Sequence, residues 1–330
     1  MSNILVHARE IGISKVLLPV IDALENQGYQ IFFDLNHFAE KSMGSHPKGI
    51  LQDADIIICG YDIPENDAVS SVILEAKKLG IPSLGILDTW TGIDRFWYSD
   101  GRMRPMTDKL AVIDDASANW LVERGAPKNW IVVTGHPGLE KAGLVSIDEK
   151  NRIRSEVRRK LGIEEGNKLL LLVSELLYPE ERPPISLTNI SVSESNTMTV
   201  LDWVEKSFGK DYILMVRKYP KENDLQPKGW LVDDSLSEEE ILAAADLFIG
   251  LSTTMMAYAA MYSVSVINLF TILDDWRPED GLIPESLWQN LISNGILGKP
   301  VNKSQFKQAP THYGATETIC RIIDGLVKET

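Results

Sequence analysis

The sequence predicts an α/β protein of two domains, each a parallel sheet covered by helices. Short apolar runs alternate with helical stretches along most of the chain, the pattern of parallel strands joined by right-handed crossovers. The alternation breaks once, at Thr134-Gly135-His136-Pro137-Gly138-Leu139-Glu140, and then restarts. At 330 residues the chain exceeds one typical core and suits two.

In the first half, residues 3–8 (NILVHA) read as a strand. Residues 13–27 place Val16, Leu17, Val20, Ile21 and Leu24 at helical spacing, and Gly28 suits the C-cap. Further strands are expected at 29–35, 54–60, 81–88, 109–114 and 130–134, with helices at 66–79 and 116–124 ended by Gly80 and Gly125. Strands this continuously apolar are buried on both faces. Gly and Pro in 134–140 predict a turn. The domain boundary is placed near residue 145, ahead of a charged helix at 146–161.

The second half opens with a buried strand at 168–174 (KLLLLVS). Residues 175–196 show no periodicity and are expected to be a mobile loop, with 178–196 open to ordering by a ligand. A helix at 197–208 leads to a strand at 212–220 that carries Arg217 and Lys218 at its end. A short strand at 230–233 precedes a helix at 237–244, with Ser237 and Glu240 as a capping box. Residues 245–270 (ADLFIGLSTTMMAYAAMYSVSVINLF) parse as strand, polar turn, helix and strand. The closing helix, 316–328, belongs to the second half or returns to the first.

Composition narrows the partners. Net charge is −14 and the pI about 4.9, which argues against broad nucleic-acid binding. An anionic ligand must then be met by a few placed cations or backbone N–H groups. The two cysteines, Cys59 and Cys320, make neither a disulfide framework nor a zinc site, and Cys59 sits in an apolar strand run. No basic and apolar leader and no spanning apolar run is visible, so the cytoplasm is the expected location. There is no Walker loop, GxGxxG, HExxH, CxxC or GxSxG motif.

Ligands of open parallel sheets bind beyond the carboxyl ends of the strands. Those ends in the first half carry His7, Arg9 and Glu10, then Asp34, Tyr61, Asp88, Asp114 and His136. The loop after the fourth strand gathers Asp88, Trp90, Asp94, Arg95, Phe96 and Trp97. Its rings could stack on a sugar or base, or else Trp90, Phe96 and Trp97 fill the gap between domains. In the second half the turn Gly250-Leu251-Ser252-Thr253-Thr254 suits an anion, because a helix start offers unpaired N–H groups and three hydroxyls add donors. The same residue types also make a plain N-cap.

The order of parts resembles the GT-B glycosyltransferases and the related UDP-N-acetylglucosamine 2-epimerases, a superfamily that includes bacterial surface-polysaccharide enzymes. Val132-Val133-Thr134-Gly135-His136-Pro137 resembles the hinge that ends the first domain in many of them. Residues 245–254 resemble their phosphate-receiving turn, and Arg217-Lys218-Tyr219-Pro220-Lys221-Glu222 a strand end of related bacterial transferases. Asp88-x-Trp90 with Arg95-Phe96 is similar to a first-domain motif of bacterial surface-sugar proteins. The resemblance implies two Rossmann-like domains facing across a cleft, with 1–145 binding the acceptor and 146–330 the nucleotide-sugar.

It further implies a glycosyltransferase that uses a nucleotide-sugar donor and a carbohydrate or glycolipid acceptor, without metal or cofactor. Arg217, Lys218, Ser252, Thr253 and Thr254 would hold the phosphates. Asp88, Glu10, Asp94 and His7 are the candidate bases, in falling order, and His136, Trp90 and Arg95 would line the cleft or hinge. A 2-epimerase or nucleotide-sugar hydrolase, drawing on Glu10, Asp88, Asp94 and Asp114, is the alternative. A non-catalytic binding module is the third reading.

Overall fold

The computed structural model describes residues 2–9, 11–35, 47–61, 67–90, 95–174, 196–218, 226–232, 235–250, 253–268 and 314–329. The chain forms two compact units. One holds the residues up to Lys141 together with the C-terminal helix, and the other begins at Ala142.

The first unit is a six-stranded parallel sheet. Its strands are β1 (Asn3–Ala8), β2 (Gln30–Leu35), β3 (Ile56–Gly60), β4 (Ser83–Ile86), β5 (Lys109–Val112) and β6 (Ile131–Val133), in the order β2-β1-β3-β4-β5-β6. The helices are α1 (Ile11–Asn26), α2 (Ala68–Leu79), α3 (Asp115–Glu123) and α4 (Pro137–Leu144). Val16, Leu17, Val20, Ile21 and Leu24 form the predicted stripe of α1 and pack on Ile4, Val6, Phe33 and Ile58 of the sheet. Full burial of such a side chain contributes about 1.5–3 kcal/mol. Gly60 lets α1 lie close, since a Cβ there would stand 2.6 Å from Ile13. The C-terminal helix, Ala315–Lys328, joins this core through Ile319, Cys320 and Ile323. Glu140 of α4 caps it, accepting from the Gly314 and Thr316 N–H groups and from the Thr316 hydroxyl.

Of the segment expected to be a turn at 134–140, residues 134–136 lie outside any helix or strand, with Gly135 at a φ of 86°, and α4 begins at Pro137. Pro137 occupies the first helical position, where its missing N–H would have no partner anyway and its fixed φ suits a helix. Cys59 is buried in its strand as read, Cys320 is buried as well, and neither is in a disulfide.

The second unit is a five-stranded parallel sheet in the order β11-β10-β7-β8-β9. These strands are β7 (Leu169–Val173), β8 (Ile213–Arg217), β9 (Leu231–Val232), β10 (Leu247–Gly250) and β11 (Ser265–Asn268). The helices are α5 (Ile147–Lys160), α6 (Asn196–Phe208), α7 (Glu238–Ala244) and α8 (Met255–Met261), and the C-terminal helix is α9. Ser146 caps α5, and Ser237 with Glu240 forms the expected capping box on α7. The loop expected at 178–196 lies outside the described residues except for Asn196, the first residue of α6.

Both sheets share a device at their amino edge. Asp55, just ahead of β3, donates its N–H to the Asn3 carbonyl and accepts the Asn3 N–H on its carboxylate at 2.7 Å. Asp108, ahead of β5, does the same to Ser83 of β4, its carboxylate accepting at 2.8 Å. Asp246, ahead of β10, does so to Leu169 of β7, also at 2.8 Å. Each carboxylate satisfies a strand-opening N–H that a neighbouring backbone would otherwise have to meet. Asp246 also receives Arg154 and Arg158 of α5 at 2.7 and 3.1 Å, while both arginines donate to the Ala244 carbonyl that closes α7.

Candidate functional site

Each sheet has one place where the strand order reverses. In the first unit the chain runs from β1 out to β2 and returns to pair β3 on the other side of β1. In the second it runs from β7 out to β8 and β9 and returns to pair β10 with β7. Beyond the carboxyl ends at such a reversal two loops part and leave a crevice, the usual ligand position in open α/β sheets.

Around the first reversal stand His7, Arg9 and Asp34. His7 is fully buried, with Nδ1 2.8 Å from Asp34 Oδ2. Arg9 Nη2 lies 3.1 Å from each Asp34 oxygen. The hydrogen bond from His7 holds the Asp34 carboxyl below the usual range, against the upward pull of burial and with help from Arg9.

Asp88 follows β4 and is 7 % exposed. Its Oδ1 accepts from Arg95 Nη1 at 3.3 Å, and Arg95 also donates to the Tyr61 carbonyl. Its Oδ2 sits against the first turn of α1, 2.8 Å from where a Cβ on Gly12 would stand. Behind Arg95 lies Arg104, whose side chain is fully buried. Arg104 donates to the Asp67 carboxylate and, at 2.8 Å, to the Arg95 carbonyl. Tyr98 donates to the other Asp67 oxygen at 2.6 Å. Arg104 and Asp67 thus hold the loop that carries Arg95, and no local sequence pattern marks either of them.

His136 is buried and accepts the Leu139 N–H on Nδ1, while its Nε2 meets the Asp88 carbonyl at 3.2 Å. With both ring nitrogens engaged, it braces α4 against the end of β4. The aromatic loop residues are core. Trp90 donates its indole N–H to Asp114, and Phe96 packs against Tyr61, Trp97 and Trp130. The rings expected to stack on a sugar or to fill a gap between domains are taken up in the packing of the first unit. Asp114 also caps α3 through the Ser117 N–H and hydroxyl.

In the second unit the reversal brings the end of β7, at buried Ser174, beside the turn after β10. Thr253 and Thr254 lie in that turn, half-buried, and the Thr253 hydroxyl accepts the Met255 N–H at 3.2 Å. Arg217 ends β8 and donates to the Leu236 carbonyl at 3.1 Å, with Lys218 next to it. Glu10, Asp94 and Ser252 lie outside the described residues. Among the described residues no group of three or more His, Cys, Asp or Glu side chains could hold a metal ion, and no helix is long and apolar enough to cross a membrane.

Solved structures share this architecture over nearly the whole chain. MnaA of S. aureus, solved with UDP, superposes with a TM-score of 0.64 at 14% identity, covering 99% of this chain and 97% of that one. The UDP-GlcNAc 2-epimerase of Neisseria meningitidis, bound to UDP-GlcNAc, gives 0.63 at 14% identity over 99% and 100%. The wall teichoic acid polymerase TagF gives 0.59 at 13% identity over 99% and 90%. The fold is GT-B. GT-B enzymes are built from two Rossmann-like domains, and the two parallel sheets found here are their counterparts. The sequence matches no protein-family model and no curated protein.

Proposed function

We propose that this chain is a glycosyltransferase that moves a sugar from a nucleotide-sugar to a hydroxyl of a carbohydrate or glycolipid acceptor, in building a bacterial glycan. The carrying observation is the chemistry at the two strand-order reversals. The second unit offers cations and a helix-opening turn, at Arg217, Lys218, Thr253 and Thr254, suited to phosphate. The first offers acid–base groups, His7, Asp34 and Asp88, suited to activating a hydroxyl. The donor's diphosphate would leave against fixed positive charge and amide N–H groups, and the reading assigns this step neither metal nor cofactor. Solved GT-B neighbours carrying UDP and UDP-GlcNAc support a nucleotide-sugar as the donor.

Epimerases of the same fold give the second reading, 2-epimerisation or hydrolysis of the nucleotide-sugar. That chemistry needs several carboxylates around the sugar ring. Asp114 is withdrawn from such a set by Trp90 and the α3 cap, which favours transfer.

A thermal-shift screen of UDP, GDP, CMP and CDP and their sugars tests the proposal. A ligand present at ~100 times its Kd adds about 2.7 kcal/mol of stability. Lys218→Met is expected to weaken nucleotide affinity by about tenfold, as loss of one charge-assisted contact does. Incubation of the best donor without acceptor then separates the readings. Rapid epimer or free-sugar formation replaces transfer by the second reading, and binding without any turnover leaves only a binding module.

Gly12→Ala is expected to separate stability from turnover. Alanine is the better helix residue by about 1 kcal/mol, so the melting point should hold. The new methyl displaces the Asp88 carboxylate, and transfer should fall about tenfold or more, since ångström-scale misplacement costs up to ~100-fold. Unchanged initial rates would show that Asp88 is not part of the site.

A further inference from the structure

Among the described residues the chain passes from the first unit to the second once, after Lys141, and is back in the first at α9. The second unit is therefore tethered at two points, the end of α4 and the start of α9. Glu140 fastens one tether to the other. One carboxylate oxygen accepts the Gly314 N–H, and the other accepts the Thr316 N–H at 2.9 Å and the Thr316 hydroxyl at 2.8 Å. A helix start ordinarily takes such an acceptor from its own N-cap side chain. For α9 the N-cap is Gly314, which has no side chain and sits at a φ of 79° that other residues rarely adopt. The acceptor comes instead from 174 residues earlier in the chain. A carboxylate in this place also faces the positive end of the helix dipole. The body of α9 is held by other means. Ile319, Cys320 and Ile323 lie in the core, and the Tyr29 hydroxyl donates to Asp324. Likewise α4 is held at its own start, where His136 accepts the Leu139 N–H and meets the Asp88 carbonyl. Each helix has its own anchor in the first unit, and the Glu140 carboxylate links the two.

We propose that Glu140 is a clasp that locks the two tethers into one joint, so that the second unit turns about a single pivot. Without the carboxylate the first turn of α9 loses its polar fastening and opens. Each residue that leaves the helix goes from a 1.5 Å rise to an extended reach of about 3.4 Å, so opening four residues lengthens the returning tether by up to about 8 Å. The two crossings then move independently. Because Glu140 stands at the very end of the first unit, one side chain sets both the start of a helix and the spacing of the tethers. The inference holds for any reaction the chain carries out, so it stands or falls apart from the transferase reading.

Two measurements on the full chain, with no ligand added, test it. The first is amide hydrogen exchange read by mass spectrometry. Glu140→Ala is expected to speed exchange over residues 314–317 by about 5- to 30-fold, the usual worth of a lost helix cap, and to change residues 319–328 less than about twofold. Equal acceleration along all of α9 would make Glu140 a stabiliser of the helix and nothing more, and no acceleration would mean that the carboxylate fastens nothing. Either result overturns the proposal. The second is the distribution of spin-label distances between Lys77→Cys on α2 and Arg159→Cys on α5. Both positions are exposed, they lie in different units, and the native cysteines are buried. The distribution is expected to broaden in Glu140→Ala. A width equal to that of the protein with Glu140 intact overturns the single joint even where exchange rises. Glu140→Gln, with one acceptor oxygen in place of two, should fall between the two proteins in both measurements, and it takes the place of Glu140→Ala if the alanine variant does not fold.

Discussion

Arg104→Met is expected to destabilise the first unit by about 3–5 kcal/mol, the usual cost of breaking a buried charge pair from one side. Methionine fills much of the arginine stem, so the loss is polar. Asp67 loses the guanidinium, and the Arg95 carbonyl loses its donor. Burial pushes the Asp67 carboxyl up. The hydrogen bonds from Tyr98 and Arg104 help to outweigh it, and the carboxyl is held below the usual range. Arg104→Lys keeps the charge without the planar fork and should lose about 1–2 kcal/mol. Urea titration followed by tryptophan fluorescence gives the comparison, since Trp97 and Trp130 lie in the same aromatic cluster. A midpoint for Arg104→Met matching wild type would refute the structural role. Because Arg104 holds the carbonyl of the residue that reaches Asp88, transfer should fall with stability.

Asp246→Ala should cost the second unit about 3–4 kcal/mol. It takes a partner from Arg154, from nearly buried Arg158 and from the Leu169 N–H at once. Asp246→Asn keeps an acceptor for Leu169 and should lose about 2 kcal/mol. Burial raises the Asp246 carboxyl, and the Leu169 N–H and the two arginines more than reverse it. A carboxyl held low when folded contributes stability above its unfolded value of about 3.9, and that contribution fades as pH falls through the folded value. Asp34 and Asp67 act in the same sense. Wild-type stability should therefore drop steeply below about pH 4, and the Asp246→Asn protein less steeply over the same interval.

Much of the fold was legible because burial on both faces writes strands as apolar runs. Residues 3–8 were read as β1 to the residue, and the other strand boundaries fell within about two or three residues. From Pro137 on, the turn expected at 134–140 gives way to a helix, because a proline serves a helix start as well as a turn. The site was less legible, because its contacts join neighbouring strands or distant loops. His7 stood out as a histidine at a strand end, but its pairing with Asp34 depends on a parallel register that neither strand encodes alone. Arg104 and Asp67 lie 37 residues apart and belong to no motif. The aromatic loop leaves two readings open in the sequence because core tryptophans and sugar-stacking tryptophans look alike in composition.

The aspartates that precede β3, β5 and β10 divide the labour of each sheet. Slipping any of these strands by one residue would tear a carboxylate from the amide it clasps, so alignment is locked at the edge remote from the ligand crevice. The opposite edge is relieved of that duty and can vary its loops. Substitutions near Asp55, Asp108 or Asp246 should therefore register as lowered melting points, while, on the proposed transferase reading, exchanges around the β1, β4, β8 and β10 ends should retune donor or acceptor choice on an unchanged frame. A chain with this layout can alter its ligand crevice without relearning how to fold.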